Sequence, residues 1–168
     1  MIAEHGNVVF RELEPGDVRS FAEDMREADR RELKRWSGNT PEWELLNAVN
    51  QSDVLFVGCL RNGTLLSMFG GKAANVIDET GVIWELSTNA VNRHKLEFAK
   101  GSRIGFDMVC RALPHVGEFH NFVDAEYESA IRWIEWLGGS MSIEGGFVGR
   151  CGGMFRRFII SNPYHREV

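Results

Sequence analysis

The sequence predicts a single α/β domain, and three observations carry that prediction. The first is the run from Phe119 to Gly138, FHNFVDAEYESAIRWIEWLG, a strand that leads directly into an amphipathic helix. Phe119, Phe122 and Val123 supply the aromatic and β-branched content of a strand. Ala130, Ile131, Trp133, Ile134 and Leu137 then recur at the helical period, and Gly138-Gly139 offers a left-handed stop. The second is Asn62-Gly63 between the apolar runs DVLFVGCL and TLLSMFGGK, a strong short-range hairpin signal. The third is the succession of strand and helix patterns over 168 residues, a length suited to one domain with one core.

Composition narrows the function classes. The chain is 43% hydrophobic and 26% charged, with five Trp and eleven Phe to bury. A net charge of −5 argues against nucleic-acid binding through bulk electrostatics. Cys59 and Cys110 fall within apolar patterns, and with Cys151 the cysteines share no metal-ligand spacing. Reduced core thiols fit a reducing cytoplasm. No apolar run approaches the ~20 residues of a membrane span. The start, MIAEHGNVVF, lacks a basic segment and an apolar h-region, so no signal peptide is expected.

The elements follow in order. VVFREL at 8–13 reads as a first strand, broken by Pro15-Gly16, with Asp17 a suitable N-cap. Val18, Phe21, Met25, Leu33 and Trp36 mark one face of a helix to about residue 36, and the charged face READRRELKR reads as solvated. Thr40 caps and Pro41 opens a second helix, PEWELLNAVNQ. The hairpin follows, then a turn over 75–80. GVIWELST is a strand with a nearly continuous apolar start and is therefore expected to be central. A helix lies within 92–113, ended by Pro114 and Gly117. After the strand and helix of 119–138, a weak strand SMSIEG and a clear last strand MFRRFIIS complete the chain.

The order β-α-α-β-β-β-α-β-α-β-β, with Val123, Tyr127, Ala130, Ile131, Ile134 and Gly138-Gly139, resembles the GNAT N-acyltransferases. The final βα unit of that superfamily reads V-x-x-x-N-x-x-A-I-x-x-Y-x-x-x-G-F. The resemblance is closest to a phage branch that includes small acetyltransferases and the internal virion protein A of short-tailed phages. It implies a mixed, mostly antiparallel sheet flanked by helices, with central parallel strands at 82–87 and 119–124 that splay apart. Acetyl-CoA would lie in the split and meet Leu86, Ser87 and Thr88. Its pyrophosphate would sit on the N-terminus of the next helix, where free N–H groups attract anions. Two phosphate loops remain open. Lys100-Gly101-Ser102-Arg103-Ile104-Gly105 keeps the basic start and last glycine of R/Q-x-x-G-x-G/A, but Arg103 replaces its middle glycine. The alternative is the run from Ser87 to Lys95, with Arg93, His94 and Lys95 as the basic cluster.

Acetyl transfer needs an amine without its proton, a polarised acetyl carbonyl and a proton for the leaving thiolate. The resemblance places a carboxylate base at Glu85. The tyrosine acid of many GNAT enzymes corresponds to Ile134, and the junction asparagine to Tyr127. Tyr127 and Asp124 are the further catalytic candidates, with His120 behind them, and no metal is implied. Trp133 and Trp136 read as packing residues or a contact patch. Two functions stay open: a slow acetyl-CoA-dependent N-acetyltransferase acting on an unknown amine in the host cytoplasm, or a silent ejection protein of the virion interior with virion or host partners.

Overall fold

The computed structural model describes residues 2–75, 77 and 79–166. It is a single α/β domain built on one nine-stranded mixed sheet in the order β1-β2-β3-β4-β5-β6-β9-β7, with β8 also paired to β9. The strands are β1 (Ala3–His5), β2 (Val8–Arg11), β3 (Val54–Leu60), β4 (Leu65–Asn75), β5 (Thr80–Ser87), β6 (Glu118–Asp124), β7 (Ser140–Met141), β8 (Phe147–Val148) and β9 (Met154–Ser161). The helices are α1 (Asp17–Asp24), α2 (Glu27–Ser37), α3 (Pro41–Gln51), α4 (Lys95–Ala112) and α5 (Glu128–Leu137).

Every strand pair is antiparallel except β5 and β6, which α4 joins as a crossover. A parallel pair requires such a connection. β5 and β6 pair only at Thr80–Glu118, Gly81–Phe119 and Val82–His120, and beyond these rungs they diverge. The expected parallel neighbours and their split are therefore present. Each strand continues in partnership on its other side, β5 with β4 and β6 with β9. The gap thus opens within an otherwise continuous sheet.

Two cores cover the two faces. Val8, Phe10, Phe69, Ile83, Phe106, Val109, Phe119 and Ile134 pack on the α4–α5 side. Phe21, Met25, Leu45, Val57, Met68 and Leu86 pack on the α1–α3 side. Cys59 and Cys110 are buried free thiols, as the apolar pattern predicts, and Cys151 is exposed.

Several local expectations change. The helix expected to run from Asp17 to about residue 36 breaks at Met25, whose backbone bridges to Thr88 while the Arg26 N–H donates to the Ser87 carbonyl at 2.9 Å. A strand-like contact outcompetes helix continuation there. Gly16, with φ +93°, holds the α1 N-cap position instead of Asp17. Asp17 is the first helical residue and pairs with Arg11 at 2.6 Å. Thr40 caps α3 as expected, accepting the Trp43 N–H at 3.3 Å. The β3–β4 loop is not a two-residue type I′ turn, because Gly63 is the residue in it with positive φ, at +88°. The Gly63 N–H donates to the Leu60 carbonyl at 2.8 Å, and the Leu60 N–H to the Thr64 carbonyl at 2.9 Å. That is a type I turn closed by a left-handed glycine, the three-residue hairpin. The first strand ends at Arg11 rather than residue 13, SMSIEG forms strand only at Ser140–Met141, and β1 and β8 are additional short strands. The turn expected over 75–80 includes Val76 and Asp78, which lie outside the described residues.

Candidate active site

The divergence of β5 from β6 opens a cleft of about 460 Å³. α2, α3 and β4 border it with Asp29, Glu32, Trp36, Glu44 and Lys72, and α4 and α5 border it with Phe98, Trp133 and Ile134. The end of β5 forms its floor with Glu85, Leu86 and Ser87.

The backbone of β5 shows why the gap is open. Alternate residues of a strand direct their N–H and C=O groups to opposite neighbours. The Thr88 N–H donates to the Leu66 carbonyl on the β4 side at 2.9 Å, so Ile83, Glu85 and Ser87 face the split. The Ile83 carbonyl accepts from Asn121 Nδ2 at 2.8 Å, and Asn121 Oδ1 accepts the Phe122 N–H at 2.8 Å. This one side chain closes the ladder where the strands part. The Ser87 N–H donates to Asp29 Oδ2 at 2.8 Å, and its carbonyl accepts from Arg26 as described. The Glu85 N–H and C=O are left between these two closures, facing the cleft. Buried backbone groups require partners, and an amide-bearing ligand arm in the split would supply them.

Glu85 turns into the cleft rather than to solvent. Its Oε1 is buried and has no hydrogen-bond partner among the described residues. Burial holds its carboxyl well above the usual range, and the nearby Asp29 and Glu32 push it further while Arg26 opposes them. Asp29, 5% exposed, accepts the Tyr127 hydroxyl at 2.6 Å and both the N–H and Oγ of Ser87 at 2.8 Å. Burial raises its proton affinity overall, and those three donors together with Arg26 lessen the rise without cancelling it. Glu32 accepts the Asp124 N–H at 2.8 Å. Burial pushes it up to about 8, with Asp29 and Asp124 adding to the rise against that hydrogen bond.

These inward carboxyls were missed in the charged run READRRELKR, which does not form a wholly solvated face. A signal was present. Asp29, Glu32, Leu33 and Trp36 stand at i, i+3, i+4 and i+7, so two acids occupy the apolar stripe of α2. Glu32 has a measurable consequence. Between 4.5 and about 8 the folded chain keeps a Glu32 proton that the unfolded chain has released, so stability falls as pH rises through that window. Glu32→Gln removes this linkage. Its melting temperature should fall less than that of the wild type between about pH 5 and about pH 8, measured by calorimetry. An unchanged slope would remove Glu32 from the buried set.

The other candidate residues take varied places. Tyr127 is the N-cap residue of α5, and it lines the cleft with its hydroxyl committed to Asp29. Burial, then the Asp29 charge, raises its proton affinity, which weakens it as an acid. Asp124 lies outside the cleft lining and pairs with Arg35 at 3.0 Å. His120 is lowered by burial and by Arg157, and its Nδ1 is buried without a partner among the described residues. Leu86 and Ser87 line the cleft, whereas the Thr88 hydroxyl donates to the Leu65 carbonyl at 2.6 Å.

Residues Asn89–Asn92 form a 3-10 turn with Ala90 and Val91 buried. Arg93, His94 and Lys95 lead from it into α4, with Arg93 and Lys95 exposed. The first helical bond here runs from the Phe98 N–H to the His94 carbonyl at 2.9 Å, so the N–H groups of Lys95, Leu96 and Glu97 stay free at the helix start. Lys100 is exposed further along α4, and Gly101 and Ser102 are buried within the helix. Gly101 packs toward Val8, and the Ser102 hydroxyl accepts Trp133 Nε1 at 3.0 Å. Arg103 donates to the carbonyls of Trp136 and Leu137 at 2.7 and 3.2 Å. Trp133 also stacks on Phe98, and exposed Trp136 carries the Arg103 guanidinium 4.6 Å from its ring centre.

A sheet that parts between two parallel strands over such a cleft is the GNAT acetyltransferase fold. Solved structures of that fold superpose on nearly the whole chain. Ribosomal-protein-S5-alanine acetyltransferase from Vibrio fischeri matches with a TM-score of 0.70 at 15% identity, covering 98% of each chain. Spermidine N-acetyltransferase from Vibrio cholerae in complex with CoA and spermine matches with a TM-score of 0.65 at 16% identity, covering 93% of this chain and 96% of that one. No protein-family model matches the sequence, and no curated protein sequence does. Among the described residues, no helix is long and apolar enough to cross a membrane.

Proposed function

We propose that this chain is an acetyl-CoA-dependent N-acyltransferase that takes the acyl-pantetheine arm into the β5–β6 split and a cationic amine into the carboxyl-lined side of the cleft. The observation that carries this reading is the open gap at Glu85, past the last β5–β6 rung and between the closures at Ile83 and Ser87, beside a buried, unpartnered carboxyl oxygen. The Vibrio cholerae neighbour is in complex with CoA and spermine, which supports an acyl-CoA donor and an amine acceptor.

Acetyl-CoA supplies an activated acetyl thioester. The Glu85 carboxylate takes the proton that the amine nitrogen must lose, directly or through water. The Glu85 N–H is placed to donate to the acetyl carbonyl oxygen. Arg93 and Lys95, with the free N–H groups at the start of α4, supply positive charge for the pyrophosphate. Phe98 and Trp133 form an apolar wall for the pantetheine arm. Ile134 stands where the family's tyrosine acid would be, so turnover is slow.

Acetyl-CoA at a hundred times its Kd should stabilise the chain by about 2.7 kcal/mol, read as a rise in melting temperature. Replacing Arg93 and Lys95 together by Ala should weaken binding roughly tenfold, since exposed phosphate contacts are partly screened. Binding indifferent to that pair would move the phosphates toward Lys100 and Arg103. No calorimetric signal at millimolar acetyl-CoA would sink the cofactor reading.

That negative result would favour a second reading, a silent virion or genome-ejection protein of the phage branch that retains the fold. The residues before α4 favour it, because no glycine stands between Thr88 and Lys100 to let a phosphate approach the backbone closely. The two readings place the chain in the host cytoplasm or the virion interior, and immunodetection in purified virions separates them.

A further inference from the structure

We propose that Asp29 is a positioning residue that locks the strand end beneath the acceptor and keeps the proton of the cleft on Glu85. The proposal rests on the N-acyltransferase reading and adds a residue to it. Asp29 ties three bordering elements together. It sits on α2, takes both donors of Ser87 at the end of β5, and takes the hydroxyl of Tyr127 at the start of α5. Both its oxygens are thus engaged, by three donors in all, an environment that favours the anion.

Glu85 has the opposite surroundings, with one oxygen buried and unpartnered two residues before Ser87. Two buried carboxyls that sense each other do not both ionise, and they titrate as a pair. The charge belongs on the carboxyl that has donors, and the proton on the one that lacks them. The other charged or titratable groups bordering the cleft are Arg26 and Glu32 on the α2 side, Glu44 from α3, Lys72 from β4 and Tyr127 from α5. β6 contributes Asn121, Phe122 and Val123, and α4 contributes Phe98, all uncharged. Arg26 alone opposes the rise in Glu85, and burial with Asp29 and Glu32 outweighs it.

The resting Glu85 is therefore a neutral acid. As pH rises it releases that proton to solvent. The resulting carboxylate can then take one proton from an ammonium or attacking amine nitrogen and return to the neutral acid. The acetylation rate accordingly rises at higher pH than an ordinary carboxylate would give.

Carbon-13 NMR of the side-chain carboxyls tests this without any ligand, with the Glu85 signal assigned through Glu85→Gln. In the wild-type chain Glu85 should titrate well above the ordinary carboxylate range. In Asp29→Asn its midpoint should fall by about one pH unit or more. The rising limb of the acetylation pH profile should move by the same amount. Tyr127→Phe removes one donor from Asp29 and should move both midpoints the same way by less, which also serves if Asp29→Asn does not fold. An ordinary midpoint in the wild type, or one that neither substitution moves, overturns the proposal. Absence of acetylation with any amine removes the transferase reading alone, because the NMR titration decides the Asp29–Glu85 coupling independently.

Discussion

Replacing Glu85 by Gln should lower the rate of amine acetylation by about 10²- to 10⁴-fold once the pH exceeds the raised Glu85 value, the usual worth of a positioned general base. Glutamine preserves shape and burial, so the change isolates the proton-accepting role. Acetyl-CoA affinity should stay within about twofold, because the substitution retains the Glu85 backbone proposed to meet the donor and changes only the side-chain carboxyl. The pH profile gives the sign. Glu85 lies well above the ordinary carboxylate range through burial and the neighbouring Asp29, so its base form grows as pH rises past that raised value. The wild-type rate should climb with it. The variant should keep only the slower climb that follows deprotonation of the free amine, and high pH should partly restore its rate. An equal loss at every pH, or a matching loss of acetyl-CoA affinity, would show that Glu85 shapes the cleft without handling protons.

The second large effect falls on stability. Asp124→Ala should cost about 1–3 kcal/mol, the range for leaving a buried hydrogen-bonding group without its partner. Asp124 is 2% exposed and meets Arg35, itself 18% exposed, at 3.0 Å. Its Oδ1 also accepts the Glu126 N–H at 2.9 Å in the turn between β6 and α5. Loss of the carboxylate leaves that N–H without its acceptor and Arg35 with Glu126 as its remaining acid partner, at 2.7 Å. Glu126 is exposed and screened by solvent, so the compensation is partial. Denaturant unfolding should show the loss with an unchanged m value, and acetyl-CoA binding below the transition should survive. A stable variant that has lost acetylation would instead return Asp124 to the catalytic set.

The two substitutions separate residues that the sequence could only group together. Glu85, Asp124 and Tyr127 enter as candidates together, Glu85 and Tyr127 through the family resemblance and Asp124 as an acid on the neighbouring strand. One turns its carboxyl into the cleft, one is consumed by an arginine from α2, and one spends its hydroxyl on an aspartate. Periodicity gives the face of a strand but not the partner that waits there. Asp29 is the clearest case. It lies in a run of charges typical of solvated helix surface, and its role depends on Ser87 and Tyr127, 58 and 98 residues away in the chain.

By itself the sequence determined what local physics controls. Apolar period, the Thr40 cap, the Asn62-Gly63 bend and the Gly138 stop each act within a few residues, so the principal strands and helices and the crossover from β5 to β6 could be read directly. Tertiary structure alone decided the rest. The helix after Asp17 breaks at Met25 because a backbone partner at Thr88 is available only in the folded chain. The strands part after Val82 and His120 because Asn121, Asp29 and Arg26 close the backbone groups on either side of Glu85. The acids of α2 turn inward because distant donors offset the cost of burying them. Those interactions join residues far apart in the chain, and no local pattern encodes them.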